Sequence, residues 1–533
     1  MSTSIFDTCA ETIDFATNTA DFIRCIADTK ASDQEAVVSQ VDSLAAGVDT
    51  FYLIYAGALV FFMQPGFAML CAGSIRAKNT KNVILWNLLD SCGGGLAFWA
   101  VGYAFAYGGD DAGKKTFIGN TNFFLSDPDT PLHFWFFQFA FACALSSIVA
   151  GTIAERTKMG AYLMYSFFLA GFVYPVVAHA FWSTNGFLSN LATEPLWNSG
   201  IIDLAGSGPV HMTGGVAALM GALILGPRMG RFYDEDGNPL DEPNDIPPHS
   251  VTLQFLGTFC LWFGWYGFNP GSTLSVANAE ISGVAALVAA NTTLAACTGA
   301  ISAMFLSTLY DIRYQGIAQW DPAYTMNGCL TGLVAITAGC ATVETWAAVI
   351  IGFFAGLFYL MASKLLVRLR IDDAVDAIPV HMIGGAWGVI ATGLFSKPSL
   401  MEAAFGMGEH AGWFYEWSEG SGDFTLLGIQ LCGVLFIIGW TSVTMGTFFY
   451  VLNFFGMFRI SALEEEVGMD ISRHKGACYT MDEAPKEKVE ELNLSRHNNS
   501  RRSQKLPVPA ETTDKEVSPE GAVASSEEER ADA

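Results

Sequence analysis

What this 533-residue sequence has least of is charge: Asp, Glu, Lys and Arg make up 15 % of it, against about 25 % in an average soluble protein. The deficit is uneven. Of 52 acids, 9 lie from Asp7 to Asp49 and 17 from Glu464 to Asp532, which leaves 26 for everything between; of 27 bases, 2 precede residue 50 and 11 follow residue 452. Both ends are solvated, and the middle is starved of charge. With a formal charge of −25 and no basic surface, the chain is not expected to bind nucleic acid. It has no CxxC pair and no HExxH, so no metal or cofactor site is expected. No Ser or Cys nucleophile stands in a recognisable motif, which argues against an enzyme. The eleven Cys fall mostly inside apolar runs, where they pack as small side chains; only Cys9 and Cys25 are placed for a disulfide. The first 48 residues lack an apolar core behind a basic end, so neither a signal nor an Arg-rich transit segment is expected there.

What fills the middle is apolar. A helix needs about 20 mainly apolar residues to cross a hydrocarbon layer of about 30 Å. On that rule the sequence predicts eleven spans, at 50–73, 83–107, 133–154, 161–182, 207–227, 250–271, 283–310, 324–341, 345–367, 379–396 and 424–452. The 324–341 segment is short and rich in Gly. One alternate set of inter-span loops holds Arg76, Lys78, Lys81, Arg156, Lys158, Arg228, Arg231, Arg313, Lys364, Arg368 and Arg370, and the other only Lys114, Lys115 and Lys397. Because bases near span ends stay in the cytoplasm, eleven against three places the N-terminus outside and the C-terminus inside. The chain thus divides into an extracellular segment 1–48, a transmembrane domain 49–454, a cytoplasmic tail segment 455–480 and an acidic tail 481–533 of disordered composition. Sequons at Asn493 and Asn498 then lie inside and stay unmodified. Asp90 sits within the second span with no basic partner in any span, and the sequence assigns it no role beyond neutralisation or helix contact.

One heptapeptide occurs twice. Pro209-Val210-His211-Met212-Thr213-Gly214-Gly215 returns as Pro379-Val380-His381-Met382-Ile383-Gly384-Gly385, and an Asp precedes each His by eight residues, Asp203 and Asp373. The copies open spans five and ten, as duplicated halves of five spans require, and an odd number of spans inverts the second half. Such repeats bring equivalent residues together near the bilayer midplane, so His211 and His381 are expected to meet there. An imidazole pair can pass a proton between donor and acceptor nitrogens. That suits proton relay or a neutral polar substrate better than a permanently bound cation. Gly215 and Gly385 read as points of close helix approach. Asp203 can cap its helix and favour a cation outside, whereas Asp373, beside Asp372 and Asp376, reads as a cap.

The ordered motifs carry a resemblance. Met63-Gln64-Pro65-Gly66-Phe67-Ala68-Met69-Leu70-Cys71-Ala72-Gly73 with Arg76-Ala77-Lys78-Asn79, Phe137-Gln138-Phe139-Ala140-Phe141-Ala142, Asp203-Leu204-Ala205-Gly206, Gly264-Trp265-Tyr266-Gly267-Phe268-Asn269-Pro270-Gly271-Ser272 and Ile336-Thr337-Ala338-Gly339-Cys340 lead through Asp372-Asp373 to His381. Over roughly residues 50–475 the chain resembles the ammonium transporters of the Amt/Mep/Rh family, and within it the eukaryotic Amt branch. The stretch 321–328 departs from the family's usual opening of span eight.

The resemblance implies an all-α integral membrane homotrimer, eleven helices per subunit in an inverted five-plus-five repeat, with a pore through each subunit. It implies ammonium recruitment by Phe141, Trp182 and Ser272, with Asp203 adding its charge, at the mouth of a plasma-membrane transporter. Phe141 and Phe268 match the stacked gate, Phe137 its wall, and His211 with His381 the twin histidines of the pore. Deprotonated ammonia would pass, and potassium, which has no proton to lose, would be refused. Net transport of charge is the preferred form; a neutral ammonia channel and an ammonium sensor signalling through the tail are the alternatives. In Gly468-Met469-Asp470-Ile471-Ser472-Arg473-His474-Lys475-Gly476, Ser472 occupies the position of a Thr that a kinase phosphorylates in the plant-like branch. Ser503 is a weaker candidate.

Overall fold

In hydrocarbon, backbone polar groups find partners only within the protein, so a chain with this composition is driven into helices. The computed structural model describes residues 19–109, 113–479 and 494. It forms two units, 1–482 and 483–533, and all but one described residue belong to the first. Residues 1–18 and, apart from Leu494, 480–533 lie outside the described residues, and with them Cys9, Ser503, the sequons and most of the acidic tail. Cys25 is disulfide-bonded.

Among the described residues the structure is helical, with β-pairing confined to isolated bridges. Among the described residues nine helical segments are long and apolar enough to cross a membrane: Val37–Ser74, Ala77–Tyr107, Leu132–Thr152, Met159–Trp182, Ser207–Leu225, Ala279–Gln315, Thr345–Arg368, Ile378–Phe395 and Thr425–Phe454. Helices Val251–Gly271 and Pro322–Ile336 occupy the other two expected positions and fall short of that measure. The second has 15 residues, about 22 Å at 1.5 Å per residue. The first expected span is broken: one helix ends at Phe61 and the next starts at Met63. Pro65 explains the break, since it has no N–H for the Phe61 carbonyl and its ring crowds that oxygen. Side chains cap several entries, with Ser250 accepting from Leu253 N–H, Asn278 from Ile281 N–H and Asp321 from Ala323 N–H. Asp90 accepts from the hydroxyls of Tyr162 and, at 3.4 Å, of Ser147.

At one end of the bundle, loop bases from three helix connections converge on two buried carboxylates. Arg228 grips Asp372 through Nε and Nη2, both at 2.8 Å, and reaches Glu155 through Nη1 at 2.7 Å. Arg76 also pairs with Glu155, and Arg156 donates to the Asp372 carbonyl at 2.7 Å. The tail joins this cluster: Glu465 accepts from Met229 N–H at 2.7 Å and from Arg459 at 2.8 Å. Asp470 caps the next helix by accepting from the N–H groups of Lys81 and Asn82, both at 3.0 Å. Burial pushes the Asp372 carboxyl up, but the Arg156 charge and the Arg228 fork outweigh it and hold it well below the usual carboxylate range. A depressed carboxyl stabilises the fold above its unfolded value of about 3.9 and loses that contribution only as pH falls through the lower folded value.

Stability from this carboxylate is therefore expected to be flat from pH 8 to about 5 and to decline only in stronger acid. Asp372→Asn, which leaves two guanidinium groups short of a charge, is expected to cost about 3–5 kcal/mol, read as a lowered unfolding temperature in detergent; an unchanged temperature would refute the network.

Candidate functional site

The two heptapeptides fold alike. Ser207–Met212 and Ile378–Ile383 are each one π-helical turn that runs into an α-helix, Thr213–Leu225 and Gly384–Phe395. An Asp braces each entry. Asp203 accepts from Gly206 and Ser207 N–H through Oδ1 at 2.6 and 3.1 Å, and from Gly208 N–H through Oδ2 at 2.7 Å. Asp373 accepts from Ile378 N–H at 2.7 Å, Val375 N–H at 3.3 Å and the Thr152 hydroxyl at 2.9 Å. Between the copies the backbones nearly touch. A Cβ on Gly215 would lie 2.2 Å from Met382 N, and one on Gly385 2.5 Å from the Ser207 carbonyl oxygen. Only glycine permits this crossing.

Its result is that His211 and His381, both buried, stand with Nδ1 atoms 3.2 Å apart and rings stacked at 5.2 Å between centroids. At that distance one Nδ1 carries the proton and the other accepts it. His211 Nε2 has no hydrogen-bond partner. Another buried histidine, His179, is fully engaged, with Nδ1 at 2.9 Å from the Ala106 carbonyl and Nε2 at 2.8 Å from the Thr116 hydroxyl.

A column of rings leads to the pair. Phe268 stacks on His211 at 5.3 Å and on Phe141 at 4.1 Å. Phe137 leans on Phe141 at 4.8 Å, and Trp182 meets it edge-on at 6.2 Å. Trp265 packs on the other side of His211 at 5.3 Å, its indole N–H bound to Thr337 at 3.1 Å. Phe137, Phe141 and Phe268 are buried to 1 % exposure or less, so no water column passes this point.

Above the rings lies a cavity of about 190 Å³, walled by Phe137, Phe141, Trp182, Asp203 and Ser272 among others. Trp182 is fixed by its indole N–H, which donates to the Asp203 carbonyl at 2.7 Å. The Ser272 hydroxyl donates to the Phe268 carbonyl at 2.8 Å, which leaves its lone pairs as acceptors. Gln138 also lines the cavity, and its buried Oε1 has no partner; the sequence motif alone assigns this residue no place in the site. Its signal was a buried amide one helical turn from Phe141. Ser472 lies apart from all of these, buried, with an unpartnered hydroxyl, in the tail helix Met469–Arg473.

Residues 51–479 match the Ammonium Transporter Family. The chain belongs to that family. Among its relatives, ammonium transporter 1 member 3 of Solanum lycopersicum is 43 % identical over 442 residues, 82 % of this chain and 94 % of that protein. Ammonium transporter 1 member 1 of Oryza sativa subsp. japonica is 44 % identical over 478 residues, 87 % and 92 % of the two chains. The solved structure of a sensor Amt protein aligns with a TM-score of 0.69 at 32 % identity, covering 81 % of this chain and all of its own. Candida albicans Mep2 aligns with 0.68 at 28 %, covering 81 % and 93 %. The ring column and histidine pair are thus features of an ammonium transporter family membrane protein.

Gly385→Ala inserts a methyl against backbone, and overpacking of this kind costs about 1–3 kcal/mol. The expected outcome in this family member is a lower unfolding temperature together with reduced ammonium flux, measured on the same preparation; normal values of both would show that the crossing yields freely.

Proposed function

We propose that the protein is a high-affinity-type ammonium transporter of the plasma membrane, a homotrimer whose subunits cross eleven times in an inverted five-plus-five repeat. In this reading residues 1–48 lie outside, 49–454 form the transporter domain, and 455–480 with 481–533 form the cytoplasmic tail. Ammonium enters the cavity above Phe141. The faces of Phe141 and Trp182 attract the cation by about 0.5–2 kcal/mol, the Ser272 hydroxyl accepts an N–H, and Asp203 adds negative charge from beneath while holding Trp182.

The observation that carries the reading is the dry stack of Phe141, Phe268 and His211, ending in an unpartnered imidazole nitrogen. A desolvated ion costs tens of kcal/mol in such surroundings, so the proton and the ammonia part company at the gate. When His211 donates through Nδ1 to His381, its unpartnered Nε2 is left to accept the proton. The proton then crosses the pair while ammonia passes beside it, and the cycle moves one positive charge. Potassium, with no proton to give up, is refused. Regulation lies in the tail. Ser472 is buried, so a kinase reaches it once the segment has left its seat, and a phosphate beside Asp470 and Glu464 keeps it from returning.

Proteoliposomes on a supported membrane test this. A saturable current after an ammonium step, absent with potassium, is expected, with loss of selectivity in His211→Ala. No current but internal alkalinisation would instead identify a neutral ammonia channel, and ammonium binding with neither signal a sensor. Trp182→Leu is expected to raise the half-saturating ammonium concentration about 2- to 30-fold with little change in maximal current; an unaltered concentration dependence would remove the indole from recruitment.

A further inference from the structure

The end of the bundle that holds the ion cluster also contains a cavity of about 480 Å³ that the transport cycle does not use. One wall is the first turn of the helix Met159–Phe168, which no side chain caps, and the leading N–H groups of a helix have no partner within it. Asn82 forms another wall. It is completely buried; its Oδ1 lies 2.8 Å from His474 Nε2, and its Nδ2 has no hydrogen-bond partner. A buried donor without an acceptor is destabilising, and an acceptor placed in the cavity relieves it. Lys158 and Arg473 flank the opening. Lys158 bonds the Gly456 carbonyl at 2.7 Å, and Arg473 pairs with Glu464 at 2.5 Å, leaving further N–H groups on both. Apart from His474 the rest of the lining is apolar, and Met164 and Met457 are exposed.

Donors and cations beside an exposed apolar rim are the chemistry of a phosphate that carries acyl chains. Basic pockets between helices on the cytoplasmic side bind such headgroups. We propose that this cavity binds the phosphate of an anionic phospholipid of the cytoplasmic leaflet. Asn82, Lys158 and the helix start belong to the bundle, whereas Met469, Arg473 and His474 belong to the tail. The headgroup therefore clamps the tail where Asp470 caps the Lys81 and Asn82 N–H groups. From the proposed function this inference takes only which end faces the cytoplasm, and it is tested by binding, independently of flux.

Full-length protein in detergent is titrated with phosphatidylserine, phosphatidylcholine or inorganic phosphate, and bound species are counted by native mass spectrometry. Phosphatidylserine is expected to bind more tightly than phosphatidylcholine, and Lys158→Ala with Arg473→Ala to weaken it about tenfold or more. Arg313→Ala, an exposed base elsewhere, controls for charge alone and is expected to leave that preference intact. Asn82→Leu keeps its backbone N–H for Asp470 and is expected to act like the double variant; should it not fold, the two surface substitutions still decide. Equal affinity for both lipids, or a preference that survives the double substitution, overturns the proposal. Displacement of phosphatidylserine by millimolar inorganic phosphate would overturn the lipid as the source of the phosphate.

Discussion

The crossing of two helical turns at Gly215 and Gly385 sets the geometry of the whole axis. With less than 3 Å between a would-be Cβ and the facing backbone on either side, the two turns are as close as main chains can come, and the imidazoles one turn away have no choice but to face each other. That approach brings His211 and His381 within the 3.2 Å at which their Nδ1 atoms share a hydrogen bond. The two braces then matter equally: Asp203 and Asp373 occupy the backbone donors at each entry, so neither turn can slide without breaking several charge-assisted bonds. Phe268 rests on His211 and Phe141 on Phe268, so the ring stack inherits its position from the crossing below it.

Polar groups in this interior divide into those that are satisfied and those that are aimed. His179 has both nitrogens bonded and belongs to the first kind; His211 Nε2, Gln138 Oε1 and Asn82 Nδ2 belong to the second. The charged cluster around Glu155 and Asp372 is of the first kind at larger scale. It closes four loop connections and the tail into one assembly of paired charges, and burial makes that assembly nearly insensitive to salt. Rigidity at that end and unpaired polar atoms along the axis are complementary, since a site aimed at a passing substrate needs walls that hold still.

The histidines were legible because a repeated heptapeptide marks them both without reference to distance. The bracing was only half legible: the same spacing precedes both copies, but residue position led to different roles for Asp203 and Asp373, whereas the bonds made by their carboxylates are of one kind. The ion cluster was not legible at all, since Arg228 and Asp372 are 144 residues apart and read singly as loop charges. Asp90 has no Lys or Arg partner within the spans, and its contacts are hydroxyls from two other helices. The helix break at Phe62 is carried by Pro65, a single residue that a span rule based on length and overall apolar content passes over.

Each of the two π-helical turns contains one residue more than an α-turn would need, and each carries one histidine of the pair. Removing a single codon from either heptapeptide would restore α-helical winding and swing everything before the deletion by about 100°, at 3.6 residues per turn. A histidine could then leave the axis while remaining in the sequence. Within this fold, the route to a changed pore runs through deletions as readily as through substitutions, and an alignment scored by residue identity alone would not register the loss.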